Sequence, residues 1–325
     1  LSGYLSDRYG IVKPFVVGGY ALSAITKPFM GLTDNYQQIA ALQSLERFGK
    51  GMRSAPKDLM IATYSKENAS GKTFGFHKTL DIAGELSGTL ILFTLLYYFG
   101  QSEFVIRNIF YVTFIPGLIG LTLMIFFVQD TPRPPKEERV SFRFSAQDKK
   151  TVLSLFFYFI FLFFMFDEAF FAMQAKGVGI ATVVIPLLFV VSTGMQTVTS
   201  YLLGAWIDKI GTRRIMAFSY LCGVISQGLL YLQSSLYTWF AFAFLGLFTV
   251  ASLNANRAFI AQVADNRGSV YGVFYAAIAL FGAAGAYVSG LIWEHFGVNA
   301  VLGFSFWGTL LLSSVYIFVG FIKRD

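Results

Sequence analysis

Gly3-Tyr4-Leu5-Ser6-Asp7-Arg8-Tyr9-Gly10 and Gly204-Ala205-Trp206-Ile207-Asp208-Lys209-Ile210-Gly211 are two copies of one pattern, Gly-x-x-x-Asp-(Arg/Lys)-x-Gly. Each fixed position recurs 201 residues later, from 3 to 204, 7 to 208, 8 to 209 and 10 to 211, and Lys13 answers to Arg214 at the same offset. Self-similarity at so long a period divides the chain into two related halves, which is how many secondary transporters are built.

Composition sets the solvent in which those halves fold. Of the 325 residues 55% are hydrophobic and 13% charged, and the mean hydropathy is +0.61. Soluble domains carry about 25% charged residues, so the chain is expected to be an all-α integral membrane protein. The one cysteine, Cys222, excludes an intrachain disulfide and a cysteine-based metal site. His77 and His295 have no metal-ligand spacing around them, so neither a metal nor a cofactor is expected. The net charge of +7 could suit nucleic acid, but the placement of the basic residues argues for membrane topology and against that partner.

Apolar runs of about 20 residues cross a hydrocarbon layer of about 30 Å as helices. Clear ones lie near 105–128, 152–173, 179–207, 215–233, 237–264, 270–293 and 298–322, and weaker ones near 14–33 and 75–99. A tenth, near 36–60, is poor because it carries Gln37, Gln38, Gln43, Glu46, Arg47, Lys50 and Arg53. Parity retains it: with ten spans, six separate the two pattern copies and both fall on one side of the membrane. The basic residues agree. Only Lys27, Arg107 and Lys176 of the 25 Lys and Arg belong to one side, which makes the opposite side, with both copies, cytoplasmic. The Pro-rich, charged stretch 130–150 is read as a cytoplasmic linker between an N-terminal half at 1–129 and a C-terminal half at 151–325.

The repeated pattern resembles the signature that follows helix 2, and again helix 8, in the major facilitator superfamily, whose members have twelve helices in two pseudo-symmetric bundles. Other segments are similar in the same order. Arg47-Phe48-Gly49-Lys50-Gly51-Met52-Arg53 resembles the helix 4 signature, the stretch from Gly71 to Asp81 resembles the start of helix 5 in bacterial permeases, and Arg267-Gly268-Ser269-Val270-Tyr271-Gly272 the start of helix 11. On this resemblance the ten spans are helices 3 to 12, and helix 1 with most of helix 2 is expected to precede Leu1. One departure concerns helix 5, where exporters of the antiport type carry Gly-x-x-x-Gly-Pro. Here Gly84-Glu85-Leu86-Ser87-Gly88-Thr89 keeps the glycines and lacks the proline.

The Asp-Arg loop has a mechanical rationale. A carboxylate at the mouth of a helix can hold basic residues and a helix N-terminus in one conformation and must release them when the halves rock. Gly3, Asp7, Arg8, Gly10 and Lys13, with Gly204, Asp208, Lys209, Gly211, Arg213 and Arg214, form the candidate cytoplasmic gate; simple anchorage of the loops in water is the competing reading of the basic members. Ionisable groups inside spans cost about 2.5–3.5 kcal/mol at the bilayer centre and are functional candidates by default. His77, Asp81 and Glu85 follow one another at i, i+4 on one helix face. At 1.5 Å per residue from Gly71, Asp81 lies roughly 15 Å deep and Glu85 roughly 21 Å. Carboxylates so placed are candidates for binding and releasing a proton near neutral pH; a permanent ion pair of Asp81 with Lys78 is the alternative. Asp167 and Glu168, after the apolar run Leu153 to Phe166, join the proton-coupling candidates. Gln43, Arg47 and Lys50, a stripe of helical period, and Asn254, Asn256 and Arg257 are candidates for lining a substrate cavity.

Taken together these readings give a secondary active transporter that moves a small solute by alternating access, coupled to a proton, monomeric, in the plasma (inner) membrane. The balance leans to export over uptake of an organic anion. A sensor or scaffold on the same fold is the rival. A membrane-embedded lipid-modifying enzyme would need a convergent nucleophile, metal cluster or acid-base set, and the sequence has no Gly-x-Ser-x-Gly and no His cluster. The lack of a Gly-x-x-x-x-Gly-Lys-(Ser/Thr) stretch argues against ATP as the driving force in this chain.

Overall fold

Backbone N–H and C=O groups inside hydrocarbon have no water to bond, so a chain this apolar satisfies them within helices. The computed structural model describes residues 2–66, 69–100, 102–130, 144–166, 168–181 and 184–322, and these contain thirteen α-helices and no strand. In order they are α1 (Ser2–Tyr9), α2 (Lys13–Met30), α3 (Tyr36–Tyr64), α4 (Ser70–Phe99), α5 (Glu103–Val112), α6 (Phe114–Phe127), α7 (Ala146–Phe164), α8 (Glu168–Gly177), α9 (Ile185–Ile210), α10 (Thr212–Tyr231), α11 (Ser235–Val263), α12 (Arg267–Phe296) and α13 (Val298–Ile322).

Six stretches are long and apolar enough to cross a membrane on those grounds alone: Ser70–Leu96, Glu103–Phe127, Ile185–Ile210, Ser235–Val263, Arg267–Phe296 and Val298–Phe318. The other four expected spans are also helical, as α2, α3, α10 and the pair α7 and α8. Three boundaries differ from the sequence reading. The expected span 105–128 is α5 and α6 meeting at Thr113, because Pro116 has no N–H to return to the Val112 carbonyl. The expected span 152–173 is interrupted after Phe164, and Asp167 lies outside the described residues. The expected span 179–207 begins only at Ile185, where Pro186 stands in the first turn and presets its φ. Of the linker, 131–143 lie outside the described residues, and α7 already begins at Ala146.

The described chain forms two compact units. One comprises Leu1–Tyr64, Ser87–Ser145 and Asp265–Gly272. In it α2 packs on α3 with almost no separation, since a β-carbon on Gly19 would lie 2.6 Å from the Gly49 carbonyl oxygen. The other comprises Ser65–Leu86, Ala146–Ala264 and Val273–Asp325. There α10 packs on α11 and α13, and α9 on α11. Its centre is aromatic: the Phe161 ring lies 4.7 Å from Tyr220 and 5.4 Å from Phe248, in space left by Gly223. Each unit therefore contains a short stretch from the other sequence half, residues 265–272 in the first and 65–86 in the second.

Candidate functional site

The two pattern copies do the same thing in their own units. Helix α1 carries Asp7 to its C-terminal end, and Gly10, at φ +69°, turns the chain out of it. Asp7 Oδ1 accepts the backbone N–H of Gly268 at 3.2 Å, and Oδ2 accepts the N–H of Ser269 at 2.7 Å and its hydroxyl at 2.8 Å. Those amides belong to the first turn of α12, where N–H groups have no partner within the helix and the helix dipole favours a negative charge. In the second unit Asp208 sits at the end of α9, and Gly211 turns the chain at φ +88°. Asp208 Oδ1 accepts Gly71 N–H at 2.8 Å and Oδ2 accepts Lys72 N–H at 2.7 Å, both in the first turn of α4.

The leading glycine of each copy makes this reach possible. A β-carbon on Gly3 would collide with the Gly268 carbonyl oxygen, and one on Gly204 with that of Gly71. The reverse also holds, since a β-carbon on Gly268 would lie 2.6 Å from Gly3 O and one on Gly71 2.5 Å from Gly204 O. Two facing glycines thus bring each pair of helices close enough for an aspartate to cap the neighbour. The sequence reading named Gly3, Asp7, Gly204 and Asp208 for the gate, but met Gly268, Ser269, Gly71 and Lys72 only in helix starts that resemble the family's, without pairing them with the aspartates. A signal was available: Gly71-Lys72-Thr73-Phe74-Gly75 and Gly268-Ser269-Val270-Tyr271-Gly272 share Gly-x-x-aromatic-Gly, a second internal repeat.

Further bonds secure the same helix starts. Ser145 Oγ donates to Asp265 Oδ2 at 2.7 Å, just before α12. Gln262 Nε2 donates to Ser70 Oγ at 2.8 Å, and Ser200 Oγ to the Gly75 carbonyl at 2.9 Å, along α4. Among the basic candidates, Arg8, Lys209, Arg213 and Arg214 are exposed, with the Arg8 guanidinium 5.7 Å from the Tyr9 ring centre. Lys13 serves a different contact: its Nζ donates to Ile125 O at 2.6 Å, and its backbone N–H donates to Asp130 at 3.2 Å. Asp130, which also accepts Val12 N–H at 3.3 Å, is a third carboxylate on a helix start, that of α2.

The other candidates are spread over both units. On α4, His77 is half-buried, Glu85 is exposed and Asp81 pairs with Lys78 at 3.3 Å. Glu168 is exposed in the first turn of α8. On α3, Gln43, Arg47 and Lys50 are exposed, whereas Arg53 is held, its guanidinium 4.1 Å from the Tyr20 ring centre and its Nη1 3.3 Å from Ser23 Oγ. Asn254, Asn256 and Arg257 are buried within the second unit. Asn254 Nδ2 donates to Ser200 Oγ at 3.1 Å, Asn256 Nδ2 to Ser252 O at 2.9 Å, and Arg257 Nε and Nη2 to Tyr275 Oη at 2.9 and 2.6 Å. Such contacts serve helix packing first. Among the described residues no three His, Cys, Asp or Glu side chains converge to hold a metal.

Comparison with known proteins gives this geometry a lineage. The family model of the Major Facilitator Superfamily matches residues 1–196 and 169–325. An uncharacterised MFS-type transporter of Methanocaldococcus jannaschii is 28% identical over 309 residues, 90% of this chain and 75% of the relative. An uncharacterised protein of Mycobacterium bovis is 28% identical over 138 residues, 42% of this chain and 33% of its own length. Among solved structures, a double-tryptophan XylE mutant superposes with a TM-score of 0.82 at 16% identity, covering 99% of this chain and 82% of its own. A variant of the E. coli fucose:proton symporter gives 0.76 at 12% identity over 100% and 87%, and the human organic anion transporter TETRAN 0.76 at 14% over 97% and 79%. The chain is a multi-pass membrane protein, and it belongs to the Major Facilitator Superfamily.

Proposed function

We propose that this protein is a secondary active transporter that carries a small solute across the inner membrane by alternating access, with Asp7 and Asp208 as its cytoplasmic latches. The observation that carries the reading is that equivalent aspartates, 201 residues apart, each hold the first free N–H groups of a helix far away in sequence. A carboxylate on the N–H groups of a helix's first turn is a bond strong enough to favour one conformation and still reversible where water reaches the helix end. The concentration of Lys and Arg on the latch side supports its being cytoplasmic.

A proton is the proposed coupling ion, through Asp81 and Glu85 with His77 beside them; Glu168 and Asp167 are the second choice. That one structure of the same fold is a fucose:proton symporter is compatible with this assignment. Export is slightly favoured by the resemblance of the α4 start to bacterial permeases, against which stands Thr89 in place of proline. The test uses the full-length protein in liposomes, after a vesicle screen of amphipathic and anionic solutes has found one that moves. Asp81→Asn and Glu85→Gln then abolish or uncouple transport driven by a pH gradient; unchanged coupling in both variants removes the proton assignment. A sensor or scaffold would show no counterflow with any solute in the screen.

A further inference from the structure

The two latches are not equal at the carboxylate. Asp208 accepts two backbone N–H groups, at 2.8 and 2.7 Å. Asp7 accepts two as well and adds the Ser269 hydroxyl at 2.8 Å. The residue in the matching place on α4 is Lys72, which has no hydroxyl and whose ammonium lies 5.6 Å from the Tyr201 ring centre, turned to a different partner. The supports at the α4 start, Gln262 on Ser70 Oγ and Ser200 on the Gly75 carbonyl, do not touch the Asp208 carboxylate.

We infer that Ser269 is a positioning residue of the gate, whose hydroxyl biases the Asp7 latch toward its closed state and gives that latch a set point independent of the Asp208 latch. The inference rests on the gate reading of Asp7 given above. A hydrogen bond to a charged group is among the stronger kinds, and here donor and acceptor approach from elements 262 residues apart, so the bond exists only while the latch is closed. Opening does not strand the donor. A serine in the first turn of a helix can turn its hydroxyl back to a carbonyl three or four residues earlier, which keeps the open state accessible and places the bias near the lower end of the charged range.

The amides that the latches hold report the state directly. Hydrogen–deuterium exchange is measured on the full-length protein in lipid nanodiscs, following Gly268 and Ser269 for one latch and Gly71 and Lys72 for the other. Ser269→Ala keeps the backbone donors and removes the hydroxyl; it speeds exchange at 268 and 269 about tenfold, leaves 71 and 72 unchanged, and Ser269→Thr restores protection. If Asp7→Asn speeds exchange at 268 and 269 but Ser269→Ala does not, the gate stands and the Ser269 inference falls. If Asp7→Asn itself changes nothing there, the gate reading falls. Faster exchange along the whole chain in Ser269→Ala, with no rescue by threonine, also overturns the inference, since it shows general loosening.

Discussion

Gly3 and Gly204 decide how closely two helices meet, and the aspartates four residues on depend on that distance. A β-carbon at either glycine would run into a backbone carbonyl, which cannot swing away as a side chain can. Gly204→Val is therefore expected to push α9 from α4, destabilise the protein by about 1–3 kcal/mol, and free the Gly71 and Lys72 amides to exchange. Thermal melts in detergent together with hydrogen exchange check both effects; a variant with unchanged protection at 71 and 72 contradicts the close-contact argument. Gly211 has a different requirement, a φ of +88° with ψ of 154° that is essentially open to glycine alone, so Gly211→Ala costs about 1–3 kcal/mol through the backbone while leaving Asp208 in reach. At this scale the sequence revealed the carboxylates, because a pattern repeated at one offset stands out in a single chain. It concealed the partners, because hydrogen-bond donors on a helix start are backbone atoms that every residue but proline carries. Asp130 was concealed for a related reason: it occurs once and matches no pattern.

The interruption between α7 and α8 shows what an apolar run hides. Leu153 to Phe166 has no proline or glycine, and by composition it continues as one helix. The structure ends α7 at Phe164 and supplies the freed Phe164 carbonyl with the Ser305 hydroxyl from α13 at 2.6 Å. Gln227 on α10 lies 2.8 Å from the same hydroxyl. One hydroxyl proton serves one acceptor at a time, so the Phe164 carbonyl and Gln227 Oε1 share the Ser305 proton, while Gln227 Nε2 donates to Met165 Sδ at 3.2 Å. Gly308 and Gly285 leave room for the Phe164 ring and the Phe163 backbone. Ser305→Ala should destabilise the protein by about 1–3 kcal/mol by stranding a buried carbonyl and speed exchange across 160–175. Ser313→Ala, which removes an equally buried hydroxyl with no described acceptor, should cost less. Equal effects of the two substitutions would dissolve this account of the break. Helix α3 is the opposite case: its polar sequence argued against a span, and the parity of the pattern copies together with the census of basic residues retained it.

For the whole molecule, the proposed sidedness of the loops rests on where Lys and Arg fall. Cysteines at Leu32, Gly100 and Leu232 should react with an impermeant maleimide on intact cells, and cysteines at Lys66 and Gln147 only after permeabilisation. The natural Cys222 is buried and contributes little background. The reverse labelling pattern would invert the proposed orientation. Two related halves were read from the repeat, and their helical character from the composition and the apolar runs. The composition of the compact units was not. Residues 65–86 and 265–272 each group with a unit built mainly from the other half, because a short glycine-lined start of a helix is held by an aspartate whose distance along the chain no local pattern encodes.

That exchange of helix starts has a consequence for recombination. A chimera that joins this chain's first half to a relative's second half, cut within 130–150, takes Asp7 from one parent and residues 268 and 269 from the other, and likewise divides Asp208 from residues 71 and 72. Each of these carboxylate contacts in such a hybrid is a mismatch unless both parents have the same chemistry at four separated places. Crossovers that carry 65–86 with the second half and 265–272 with the first keep each carboxylate with its own donors. The heritable unit of each contact is a pair of distant segments, so substitutions at Ser269 and Asp7 should be tolerated together more readily than apart.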